Sequence, residues 1–252
     1  MDKDLLFLKR VKTEDLILLV NIMKDRISNG LSEYATSNPS QHVEEIAQEI
    51  CLYGGNTLVN LGRGVFSKNE TISYHELLQD VCKRKKVSFH PNDSTSTLGK
   101  YLHQKVEADF RAEWDDMSMD ERKEILDKIK TNIGEKNFYT LAEKMGGMRG
   151  MIALSGNVLL KQMISIGGIH VYYGLVKGIV FIFHNILRTT APKVLIFGAP
   201  QVLKRALNVL FGPIGWGIIG VWTLFDVASP AYRVTIPLAI MVELLRLEYK
   251  ES

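Results

Sequence analysis

The chain is expected to be all-α, and three features of the sequence say so. Apolar residues recur at three- and four-residue spacing in one segment after another. Two Ser-x-x-Glu capping boxes, at Ser73 with Glu76 and at Ser118 with Glu121, each precede such a segment. The strict apolar–polar alternation of a half-buried strand is almost missing. With 252 residues, 46% of them hydrophobic and 23% charged, the chain can bury a sizeable core and lacks the composition of a disordered segment. Its two cysteines, Cys51 and Cys82, are too few for a disulfide scaffold and read as free thiols of a reducing compartment.

The helices of the first half can be placed in order. Thr13-Glu14-Asp15 opens one, with Leu16, Leu19, Val20 and Met23 on a common face. Pro39-Ser40 opens a second, carrying Val43, Ile46, Ala47 and Ile50, and Tyr53-Gly54-Gly55-Asn56 is expected to end it in a tight turn. Ser73 starts the helix of Leu77, Leu78, Val81 and Cys82, which closes on the cations Lys83-Arg84-Lys85-Lys86. Asn92-Asp93-Ser94 is a turn into the helix of Leu98, Leu102 and Val106. Ser118 starts the helix of Ile125, Leu126 and Ile129.

The second half differs in composition. Residues 1–150 carry 22 Lys and Arg against 24 Asp and Glu, whereas residues 151–252 carry 9 against 4, so the net charge of +3 hides a balance of −2 followed by +5. Thirteen of the 20 glycines fall between Gly146 and Gly220. This break predicts two helical parts: a mixed-charge domain over 1–147 and an apolar, basic, glycine-rich domain over 148–252. Within the second part, residues 162–176, 178–187 and 206–225 carry no charge, and a third apolar run covers 234–242. The 20 residues of 206–225 match the thickness of a bilayer core at helical rise. Burial within a helical bundle and contact with a membrane are both open readings of these runs. Gly174-x-x-x-Gly178 offers the small-residue spacing that lets helices approach closely. Gly212-Pro213 marks a break before a helix starting near Ile214, and Trp216 and Trp222 read as core or interface filler.

Charge placement argues against a simple membrane hairpin. Arg188, Lys193, Lys204 and Arg205 lie between the long apolar runs with no acid among them, which would hold that loop on the cytoplasmic side and force both flanks across. The same four cations suit the headgroups of an anionic surface, each contributing about 1 kcal/mol there. No secretory signal is expected from Met1-Asp2-Lys3-Asp4, which fits a cytoplasmic protein, peripheral to the inner membrane or conditionally inserted in it.

No catalytic signature is found: neither a P-loop nor a G-x-S-x-G elbow nor a dinucleotide fingerprint. The histidines show no metal spacing, and His75 with Cys82 on one helix reads as a plain helix surface. No cofactor is expected, and the basic run at 83–86 lacks the stacking aromatics of a nucleic-acid site. Two polar clusters stand out. Gly54, Gly55, Asn56, Asn60 and Arg63 could serve a partner or ligand, and Asp226 with Arg233 are isolated charges in apolar sequence, expected to form a structural pair.

These clusters, with Tyr74-His75-Glu76-Leu77-Leu78-Gln79-Asp80-Val81-Cys82, Gly212-Pro213-Ile214-Gly215-Trp216 and Pro230-Ala231-Tyr232-Arg233-Val234-Thr235-Ile236-Pro237, give the sequence its family likeness. It resembles the YaaW-type family of bacterial proteins over most of its length. Residues 74–150 are distantly similar to the ubiquinol–cytochrome c chaperone fold, an all-helical module. The resemblance implies a bacterial or phage-related cytoplasmic origin and carries no catalytic residue.

The expected function is therefore that of a non-enzymatic helical protein acting through conditional membrane association. Its N-terminal part would bind a protein partner and its C-terminal part would act on the bilayer, alone or as an oligomer. Pore formation, as in toxins or abortive defence, is one form of that expectation. The alternative is a soluble helical interaction or assembly-chaperone module.

Overall fold

The computed structural model describes residues 1–23, 31, 33–59, 72–189, 205, 209 and 230–250. Every regular element among them is a helix, so the all-α expectation holds. A 3-10 segment, Lys3–Arg10, is followed by α1 (Thr13–Met23), α2 (Glu33–Ser37), a short 3-10 turn (Pro39–Gln41), α3 (Val43–Val59), α4 (Tyr74–Arg84), α5 (Thr95–Asp115), α6 (Met119–Ile133), α7 (Glu135–Lys144), α8 (Gly147–Ala153), α9 (Gly156–Thr189) and α10 (Pro230–Lys250). Both capping boxes form as the sequence requires. Ser73 and Ser118 each accept from the backbone of the glutamate three residues on, and that glutamate returns to the cap N–H. Ser94 receives the Thr97 N–H at 3.2 Å and so opens α5.

The chain forms two compact units. Met1–His103 with Ile218–Ser252 make the first, and Gln104–Gly217 the second. Packing thus groups the residues differently from composition, which breaks at 147/148. Composition tracks what a segment is made of, whereas packing tracks which apolar faces meet. The apolar C-terminal helix α10 packs with α1, α3, α4 and the Lys3–Arg10 segment, so the last part of the chain completes the core of the first. Residues 234–245 are buried without exception, because a helix surrounded by others has no solvent face to leave polar. The third apolar run is thus the interior of a helical bundle.

Around it the first unit is built on the faces read from the sequence. Leu16, Leu19, Val20 and Met23 of α1, Val43, Ile46, Ala47 and Ile50 of α3, and Leu77, Leu78, Val81 and Cys82 of α4 are all buried. The expected turn at Gly54-Gly55-Asn56 does not form, since α3 runs through these residues to Val59. Glycine costs a helix interior about 1 kcal/mol per residue, and α3 continues through both glycines all the same. Just before the glycines, the buried Tyr53 hydroxyl donates to the Met23 carbonyl and fixes α3 against the end of α1. At the other end, Tyr249 of α10 donates to Asp15 at 2.8 Å and accepts the Lys12 N–H at 3.2 Å.

In the second unit, α9 packs with α6 and α7, and α8 also packs with both. The long uncharged run is not one straight helix: Gly168 takes φ 65° inside α9, a left-handed value that divides it. Further along, Gly174 sits against Ile133 of α6, so close that a Cβ there would fall 1.9 Å from the isoleucine Cγ2. Gly174 thereby lets α9 approach α6 closely at this point. Gly146 and Gly147, at φ 79° and 76°, end α7 and begin α8 inside this unit. Among the described residues, no helix is long and apolar enough to cross a membrane.

Candidate functional site

The polar centre of the first unit lies on α10. Glu243 and Arg246 are three residues apart and share a helix face. The Arg246 Nε donates to both carboxylate oxygens of Glu243, at 3.0 and 3.1 Å. The guanidinium also lies over the rings of Phe7 and Tyr74, 4.7 and 5.6 Å from their centroids. α5 makes room for the carboxylate with a missing side chain: a Cβ on Gly99 would stand 2.0 Å from Glu243 Oε2.

Burial dominates the electrostatics of this cluster. Desolvation raises the Glu243 carboxyl above its ordinary value, and the Arg246 charge works against that rise. Tyr74, fully buried and facing Glu243, has its phenol pushed well above the usual range, first by desolvation and then by the Glu243 charge. His103 is lowered to about 4, because a buried ring resists charging. Cys82 nearby is pushed up to about 12 by burial, with the Glu243 charge adding to it, so its thiol is unreactive at neutral pH. Glu243 is 1% exposed and Tyr74 0% exposed, so the cluster is sealed within the first unit, where it ties α10 to α4 and the Lys3–Arg10 segment.

His103 gives this unit an acid sensitivity. Its folded pKa of about 4 lies below the ordinary 6.5. The stability it contributes is therefore fully present above pH 6.5 and is lost as pH falls towards 4, by up to about 3 kcal/mol. Glu243 acts with the opposite sign, since a raised carboxyl binds its proton more readily in the folded state. Comparison with His103→Gln isolates the imidazole. Urea midpoints of the two proteins should converge between pH 7 and pH 4.5, the unaltered protein losing more; parallel pH profiles would refute the assignment.

His75 is spoken for by its neighbours. Its Nδ1 meets Thr95 Oγ1 at 3.0 Å and its Nε2 meets Gln79 Nε2 at 3.0 Å, while Cys82 points to the Leu98 carbonyl at 3.8 Å. Among the described residues no group of His, Cys, Asp and Glu is placed to hold a metal ion.

The second unit places one of the expected lipid-facing cations. Arg205 is a partly buried side chain tied to the end of α5 and the start of α6. Its Nη1 pairs with Glu113 Oε2 at 3.1 Å, its Nε lies 3.6 Å from Glu121 Oε1, and its Nη2 donates to the Asp116 carbonyl at 2.8 Å. Beside this network, Arg122 donates to the carbonyls of Trp114, Asp115 and Ile152 at 3.0, 3.2 and 2.8 Å and lies 5.3 Å from the Trp114 ring centroid. Trp114 Nε1 in turn donates to the Leu154 carbonyl at 2.9 Å.

Of the other residues singled out, Gly54, Gly55 and Asn56 belong to the backbone of α3, and Asn60 and Arg63 lie outside the described residues. Asp226 lies outside them too, and Arg233 is in α10 with a side chain that is not described, so the expected Asp226–Arg233 pair falls outside the structure. The same holds for Lys193, Lys204, the side chain of Arg188, and the Gly212-Pro213, Trp216 and Trp222 readings. Among the described residues, α10 carries a charged pair, Glu243 with Arg246, which the sequence reading passed over. Its signal was present: an acid and a base three apart, directly after an apolar run.

A UPF0174 protein of Helicobacter pylori strain J99 is 31% identical to this chain, over 100% of the chain and 93% of the relative. The chain belongs to the UPF0174 family. A second member, from Helicobacter pylori strain 26695, is 30% identical over 84% of the chain and 90% of its own length. The UPF0174 protein YaaW of Escherichia coli K12 is 27% identical over 97% of the chain and 94% of its own length, which bears out the YaaW-type resemblance. No family model matches the chain. No solved structure matches it either, and the likeness of residues 74–150 to the chaperone fold stays a resemblance.

Proposed function

We propose that this UPF0174 protein is a non-enzymatic helical protein that associates conditionally with an anionic membrane surface through its basic, glycine-rich C-terminal half. The observation that carries the reading is the run 206–225: 20 uncharged residues entered directly from Lys204-Arg205. At helical rise such a run spans about 30 Å. Cations at its entrance suit a surface of anionic headgroups, and the absence of acids from 188 to 205 keeps the approach free of repulsion. Perturbation of the bilayer would follow from insertion of the run, and cytoplasmic residence with a peripheral membrane-bound state is the matching location.

A second reading, a soluble helical interaction or assembly module, is favoured by α10. Its apolar run 234–242 is interior to the first unit, so apolar length alone does not require lipid. Vesicle flotation separates the two. The membrane reading expects the intact chain to float with phosphatidylglycerol vesicles at low salt, to leave them as salt rises, and to ignore phosphatidylcholine alone. A protein that stays at the bottom of the gradient under all three conditions would be the interaction module.

A further inference from the structure

The proposed surface contact and the observed ion network compete for one side chain. A guanidinium engages carboxylate and phosphate in the same planar, forked geometry, so it cannot serve both with the same edge. In the structure all three nitrogens of Arg205 are committed within its own chain: to Glu113, to Glu121 and to the Asp116 carbonyl. The side chains of Arg205, Glu113 and Glu121 are 22%, 17% and 14% exposed. That is sheltered enough for the pairs to hold, and open enough for an incoming anion to reach them.

We propose that Glu113, Glu121 and the Asp116 carbonyl form an internal competitor for Arg205, an autoinhibitory contact that withholds this cation from anionic headgroups until they displace the carboxylates. The inference rests on the membrane reading above and adds its control. Glu121 also closes the capping box of α6, so Glu113 is the residue whose change is most selective. Glu113→Gln keeps the shape of the side chain and removes its charge.

Two readouts on the full chain test the competition. Without lipid, trypsin should cleave after Arg205 faster in Glu113→Gln than in the unaltered protein, with thermal midpoints alike. With vesicles of equal parts phosphatidylglycerol and phosphatidylcholine at one ionic strength, the bound fraction should rise about threefold, the scale of a partly exposed ion pair. Glu113→Gln combined with Arg205→Gln should bind no better than Arg205→Gln alone. If the unaltered protein floats and Glu113→Gln changes neither cleavage nor binding, the competition is overturned and the membrane reading stands. Faster cleavage with no protein bound to any vesicle would overturn the membrane reading and the inference with it.

Discussion

Replacing Arg246 with alanine should destabilise the first unit by about 3–5 kcal/mol, read as a lower urea midpoint at neutral pH. The size follows from what is left behind. Glu243 is 1% exposed and draws on Arg246 through both oxygens. Without the guanidinium it must either stay ionised in an apolar interior or take up a proton, and both cost free energy. The variant also strips a cation from the faces of Phe7 and Tyr74. Two controls separate charge from packing. Arg246→Met with Glu243→Leu removes both partners and keeps apolar volume, so it should cost much less than the single change. Lowering pH towards 5 should recover part of the loss in Arg246→Ala, because the stranded carboxyl becomes neutral. A single variant losing less than about 1 kcal/mol, the scale of a surface pair, would show that the cluster is hydrated and not sealed.

This cluster also shows where the sequence could be read and where it could not. Helix starts were legible because a capping box is local: Ser73 and Ser118 needed only their own glutamates. Buried faces were legible for the same reason, since periodicity along one helix marks the side that must be covered. The end of α3 was not, because Gly54-Gly55-Asn56 is a stop signal only when nothing outside the helix favours continuing it. The grouping of helices was not, because α10 joins the first unit through partners on α1, α3 and α4 that lie far back along the chain. Arg205 is the sharpest case. Sequence neighbours made it part of a cationic stretch, while Glu113 and Glu121, far back along the chain, draw it into an ion network. A charge's sign can be read locally, but its partner depends on the fold.

The second large effect is expected at Trp114. Trp114→Ala should cost about 3–5 kcal/mol, the range for deleting a fully buried large aromatic, and should act on the second unit. The ring does three jobs at once: it packs 5.9 Å from Phe110, lies beneath Arg122, and ties the end of α8 through the Leu154 carbonyl. Trp114→Phe keeps most of the apolar area and loses the Nε1 donor, so it should cost less, about 1–3 kcal/mol for the carbonyl left short of a partner. Arg122 also reaches the Leu154 carbonyl, at 3.4 Å, so the phenylalanine variant should lie at the low end of that range. Arg122→Ala should be worse than an exposed arginine change, because it uncaps the carbonyls of Trp114, Asp115 and Ile152 together. Hydrogen exchange locates the damage. Amides of α6, α8 and α9 should lose protection in Trp114→Ala more than those of α10, whereas Arg246→Ala should do the reverse. Equal loss in both sets from either variant would mean that the two units open as one, and the division drawn from packing would have no energetic counterpart.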